Sequence, residues 1–195
     1  MLSLRSKQFT RLVSGLRDLG KKCTVIESCC GGLISSSIMA EPGSSAVYYG
    51  GSIAYNTRNA KKLLLNDSDL HGKLIQPTIP IDGESEGDAY VRSKLKWTAE
   101  SAVAFCKQMH VDYAIAEGGA AGPTFRPEGL NTGFAAIAIA GRDQKGEVQL
   151  LKQKVFHSAH SNREQNMRFF AGKVRWITSS NLKSQASSQT DSKIC

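Results

Sequence analysis

Several features are scarce in this 195-residue sequence, and each scarcity removes a class of protein. No apolar run approaches the ~20 residues that cross a bilayer as a helix, so no membrane span is expected. Cysteines number five, an odd count, and no C-x-x-C occurs. Cys29 and Cys30 are neighbours, with Cα atoms closer than a disulfide normally spans. Neither a disulfide scaffold nor a zinc site is expected, and the pattern reads as reduced, cytoplasmic usage. The four histidines, His71, His110, His157 and His160, form no H-E-x-x-H and read as surface residues; no metal and no cofactor is expected. Neither G-x-x-x-x-G-K-[ST] nor G-x-G-x-x-G is present, which removes the two commonest phosphate-loop fingerprints. The basic residues, 25 against 17 acidic for a net +8, come in scattered pairs such as Lys21-Lys22 and Lys61-Lys62. Without a basic stripe interleaved with aromatics, nucleic acid is not an expected partner. The surplus suits a small phosphorylated molecule instead.

What is present is an ordinary globular composition, 41% hydrophobic and 22% charged, enough for one domain with its own core. Phe9, Leu12, Val13 and Leu16 recur at helical spacing, which predicts an amphipathic first helix ending near Gly20 rather than a signal peptide. Cys23 to Glu27 reads as a short buried strand, Ser28 to Gly32 as a tight turn, and Leu33 to Ala40 as a helix: a βα unit. Val47 to Tyr55 predicts a second strand and Asn59 to Leu65 a helix. Gln76 to Asp88, with its prolines, glycines and acidic cluster, predicts a loop. The helix after it should bury Val91, Leu95, Thr98, Ala102, Phe105 and Met109. Tyr113 to Ala116 predicts a strand that enters a second glycine-rich turn, Gly118 to Pro123. Strands Gly133–Ala140 and Val148–Phe156 follow. Ser161 and Glu164 match a capping box before a last helix marked by Met167, Phe170, Val174 and Ile177. From Ser179 the chain is polar and predicted to be disordered. The expectation is a layered α/β/α single domain with a central sheet over 1–178, and a tail over 179–195.

Two groups of residues have the composition of a site. Glycine-rich turns after strands expose backbone N–H groups, and a helix N-terminus adds a positive dipole end, so together they suit an anion. Tight turning alone explains the same glycines. Ser44-Ser45, Tyr55, Lys61 and Lys62 are the parts of a serine amidase in which a lysine of depressed pKa takes the hydroxyl proton. A cap, a strand residue and solvated lysines explain them equally. Cys29, beside a helix start, is a candidate for a lowered thiol pKa.

These residues carry a resemblance. Glu27-Ser28-Cys29-Cys30-Gly31-Gly32 resembles the E-S-C-T-G-G signature of the CinA C-terminal family. Pro42-Gly43-Ser44-Ser45, Gly50-Gly51, Ala54-Tyr55 and Ala60-Lys61 follow in that family's order, and Ala121-Gly122-Pro123 and Arg163-Glu164 resemble its later motifs. Characterised members deamidate nicotinamide mononucleotide. The resemblance implies Ser45 as nucleophile, Tyr55 and Lys61 as its activators, and Ser28, Gly31, Gly32, Gly118, Gly119 and Arg163 as substrate-binding residues. It also implies a phosphorylated nucleotide substrate and a homo-oligomer. Alternatives are a non-catalytic nucleotide-binding domain and an amidase for another substrate. Four departures from the pattern lie near the implied site: Cys30 for threonine, Gly118 where a threonine is expected with the carboxylate of Glu117 beside it, one extra residue before Lys61, and the longer acidic loop.

Overall fold

The computed structural model describes residues 7–55 and 79–174. The expected helix Asn59–Leu65, Lys61 within it, the start of the loop at Gln76 and the tail 179–195 lie outside the described residues. At the centre is β1, Cys23–Glu27, buried at all five positions. Being covered on both faces requires a run of residues with no exposed alternate, which Cys-Thr-Val-Ile-Glu supplies. β2 (Tyr48–Ile53) and β3 (Tyr113–Ala120) flank it in parallel, and β4 (Gly133–Arg142) and β5 (Val148–Ser158) continue antiparallel, in the order β2-β1-β3-β4-β5. The edge strands β2 and β5 mix buried and exposed residues, as edges should.

Side-chain alternation sorts the core into two layers. Val25, Ile115, Ile137 and Ile139 point to one face, where they pack with Phe9, Leu12, Val13 and Leu16 of α1 (Lys7–Asp18). Ile34 and Ile38 of α2 (Leu33–Met39) and Phe170 and Val174 of α4 (163–174) complete that layer. The opposite face is lined by Ala114, Ala116, Ala138 and Ala140 and covered by Trp97, Ala102 and Phe105 of α3 (Glu86–Gln108). Methyl groups on the sheet let the 23-residue α3 approach closely, while bulky branched residues hold three helices on the other face. This is the expected α/β/α layering.

Several boundaries differ from expectation. α3 starts at Glu86, inside the expected loop, because Ser85 Oγ accepts from Asp88 N at 3.1 Å and Glu86 and Asp88 sit on its positive N-terminal turn. Its buried face includes Trp97, Ser101 and Cys106, while Val91, Leu95 and Met109 are only half-buried. Gly118, Gly119 and Ala120 continue β3 and make no turn. A Cβ on Gly118 would meet the Trp97 ring at 2.8 Å, so glycine is needed there to admit α3. α4 is capped by Asn162, whose Oδ1 accepts from Gln165 N at 3.1 Å, one residue after the expected Ser161.

Candidate functional site

Three parallel strands end at the same edge of the sheet, where α/β proteins form ligand crevices. The Ser28–Gly32 turn leaves β1, Tyr55 lies two residues beyond β2, and Ala121-Gly122-Pro123 follows β3. β1 and β2 pair Glu27 with Ile53, and Ala54 N donates to Glu27 O at 2.6 Å. Ser28 and Ala54 are the next residues after the two strands, and Tyr55 follows. Arg163, the first residue of α4, joins the segments: Nη2 donates to Tyr55 Oη at 3.3 Å and Nη1 to Gly122 O at 3.2 Å.

Beneath this edge lie two fully buried carboxylates. Glu27 Oε2 accepts from Gly32 N and Ile34 N, both at 3.0 Å. Its Oε1 accepts from Ser35 N at 2.7 Å and from Ser35 Oγ at 2.5 Å. The carboxylate thus sits on the N-terminus of α2, where unpaired N–H groups and the dipole favour negative charge. Glu117 Oε2 accepts from Ser28 N at 3.0 Å and Cys30 N at 2.9 Å, and Cys29 Sγ donates to Oε1 at 2.8 Å. Burial pushes the Glu117 pKa up, the three donors pull it down, and the nearby Glu27 pushes it up again. The turn is therefore tied from below on both sides. With Gly31 N on Ser28 O, the N–H groups of Ser28, Cys30, Gly31 and Gly32 all have acceptors inside the protein.

Around the carboxylates stand groups that the sequence did not single out. Lys94 of α3 has its pKa lowered by burial, with the charges of Cys29 and Glu117 acting the other way. Tyr90 is held above its ordinary value by burial, then by Cys29 and Tyr55. Cys29 itself is not activated. The Cys30 thiol lowers its pKa, but burial and Glu117 outweigh that and bring it to about 11. The expected lowering at a helix start fails because the turn is buried and faces a carboxylate. A buried acid within the apolar run Tyr113–Ala120 was the available signal for Glu117. For Lys94 and Tyr90, placed by the turn of a long helix, there was none.

The residues expected to act together are divided. Tyr55 and Arg163 meet at the strand-end edge that also carries the Ser28–Gly32 turn, and Gly118 and Gly119 lie back within β3. Ser45 is exposed in the single 3-10 turn Ser44–Ala46 ahead of β2, whereas Tyr55 lies past its far end. Six strand residues at about 3.3 Å each separate these positions by about 20 Å. Within one chain Ser45 and Tyr55 do not share a site.

Comparison with known proteins agrees with this architecture. The sequence matches the family model described as the CinA C-terminal domain over residues 6–73 and 93–174. It is 33% identical over 146 residues to a CinA-like protein of Pseudothermotoga lettingae, covering 73% of this chain and 32% of that protein. A CinA-like protein of Synechococcus is 32% identical over 131 residues, covering 66% of this chain and 27% of its own length. The chain thus matches about a third of the length of these relatives. A CinA superfamily structure from Klebsiella pneumoniae superposes with a TM-score of 0.69 at 18% identity, covering 91% of this chain and 97% of that one. Its counterpart from Escherichia coli gives 0.66 at 20% identity, with 90% of each chain covered. Among the described residues no helix is long and apolar enough to cross a membrane. Sequence motifs, sheet order and the family match agree: the chain belongs to the CinA C-terminal domain family.

Proposed function

We propose that this domain hydrolyses the carboxamide of nicotinamide mononucleotide, giving nicotinate mononucleotide and ammonia. The observation that carries the reading is Arg163 joining Tyr55 and Gly122 at the C-terminal edge of the parallel strands, the edge where Ser28 leaves β1. The Ser28 hydroxyl attacks the carboxamide carbon, and Lys61 accepts the hydroxyl proton. Tyr55 orients the reacting groups. The tetrahedral intermediate collapses with that proton passing to the leaving nitrogen, ammonia departs, and water then releases the acid from the acyl-serine. The substrate phosphate lies toward Arg163 and the N-terminus of α4, since guanidinium and helix N–H groups both suit phosphate.

Ser45, the nucleophile that the family resemblance implies, serves this edge only when a second copy of the chain presents it. A second reading, nucleotide binding without turnover, is favoured by the engagement of the turn's N–H groups with Glu27 and Glu117. Ammonia release from nicotinamide mononucleotide decides among these. The expected result is turnover by the wild type, a loss of about 10³-fold or more in Ser28→Ala and Lys61→Ala, and little change in Ser45→Ala. Loss confined to Ser45→Ala moves the nucleophile to a partner copy. Calorimetric binding with no ammonia from the folded wild type leaves only the binding reading.

A further inference from the structure

Two of the four departures from the family pattern, Cys30 and Glu117, lie 87 positions apart in sequence and are bonded to each other in the fold, Cys30 N donating to Glu117 Oε2 at 2.9 Å. They enclose Cys29 between them. The turn brings the two thiols to one side, although adjacent side chains in an extended segment point apart. Cys29 Sγ, Cys30 Sγ and a carboxylate oxygen of Glu117 all lie within 4.8 Å of one another, and all three residues are buried.

We infer that Cys29, Cys30 and Glu117 form a binding site for a thiophilic divalent cation of the zinc class. A tetrahedral ion with sulfur at about 2.3 Å and oxygen at about 2.0 Å needs edges of about 3.8 Å between sulfurs and 3.5 Å between sulfur and oxygen. The cluster is already at this scale, and the 2.8 Å contact from Cys29 Sγ to Glu117 Oε1 opens once the thiol proton that bridges it has gone. Oε2 stays on Ser28 N and Cys30 N, which fixes the carboxylate as a second shell should. Three protein ligands leave a fourth position open, the arrangement of reactive rather than closed sites.

Charge supports the assignment. Two thiolates and one carboxylate carry −3 against +2 for the ion. The remaining negative charge faces Lys94, which feels both Cys29 and Glu117, and Arg163, which feels Cys29. Binding balances as one cation taken up and two thiol protons released. Because both thiols must lose their protons to bind, affinity rises with pH. The assignment does not rest on the proposed amidohydrolase reaction, although the cluster lies directly beneath Ser28.

The test is titration of chelator-treated, full-length protein with Co²⁺, read by thiolate-to-cobalt charge transfer and by proton release. One ion per chain is expected, with two protons released and displacement by Zn²⁺. Cys30→Thr, which restores the residue the family pattern has, should weaken binding by at least about 100-fold, beyond the loss of an outer-shell partner. Glu117→Gln should weaken it while retaining the charge-transfer band. Cys106→Ser, in α3, should change nothing. If folded wild type develops no charge-transfer band with Co²⁺, or if the band survives unchanged in Cys30→Thr, the site does not exist. Circular dichroism of each variant separates loss of binding from loss of fold.

Discussion

The two ends of β2 make different use of the same residue type. At its N-terminal end Ser44 and Ser45 sit in a short exposed turn, and Ser44 Oγ reaches only Met39 O at 3.4 Å. Beyond its C-terminal end the neighbouring strand supplies Ser28 in a turn whose N–H groups end on two buried carboxylates. An exposed turn is free to move, whereas one whose N–H groups end on buried carboxylates has a fixed position, as the placing of a reactive group requires. The difference arises because parallel strands gather their C-terminal turns at one edge, and two glutamates anchor that edge from below.

The largest expected effect tests this anchoring. Glu27→Ala leaves the N–H groups of Gly32, Ile34 and Ser35 without their carboxylate and should cost about 4 kcal/mol in urea unfolding. Ser45→Ala should stay within about 0.5 kcal/mol. Comparable losses would erase the contrast between the two ends.

Next in size is Arg163→Ala, which removes the guanidinium from Tyr55 and Gly122. Under the proposed amidohydrolase reading, KM for the mononucleotide should rise about 10- to 100-fold, as loss of a charged hydrogen bond predicts. The dephosphorylated riboside should be turned over as before. An equal rise for both would detach Arg163 from the phosphate.

A smaller effect concerns pH. Glu117 has a folded pKa above its ordinary 4.5, so the folded state holds a proton that the unfolded chain has already released. Its contribution to stability is complete below that value and declines as pH rises through the raised one. Glu117→Gln should therefore flatten the stability profile above about pH 4.5, measured by denaturant midpoints. A profile as steep as the wild type would mean that the carboxylate is ionised throughout.

The smallest effect sharpens a boundary. Asn162→Ala should cost about 1 kcal/mol as a lost helix cap, and Ser161→Ala about 0.5 kcal/mol or less. The reverse order would restore the capping box at Ser161.

Much of this could be read along the chain. β1 ran from Cys23 to Glu27 as expected, because a short apolar run between a helix stop and a glycine turn has few other solutions. The short apolar runs Tyr113–Ala116 and Gly133–Ala140 likewise read as strands and lie within β3 and β4. Reading failed where glycine has two meanings. Gly118 and Gly119 suggested a turn, yet they are strand residues, Gly118 kept small for Trp97 and Gly119 for the backbone of β4 at Phe134 and Ala135. It failed also where acidity has two meanings, since Glu86 and Asp88 suggested a loop and instead complement the N-terminus of α3.

By itself, then, the sequence determined the layered fold and the family, because hydrophobic periodicity and ordered short motifs are properties of neighbours along the chain. Tertiary structure alone decided which motif residues meet. It carried Arg163 to Tyr55 across 108 positions, set Glu117 beneath Cys29 and Cys30, and kept Ser45 at the opposite edge. Such meetings depend on strand direction and on which end of each strand a residue follows, and neither is encoded in local spacing.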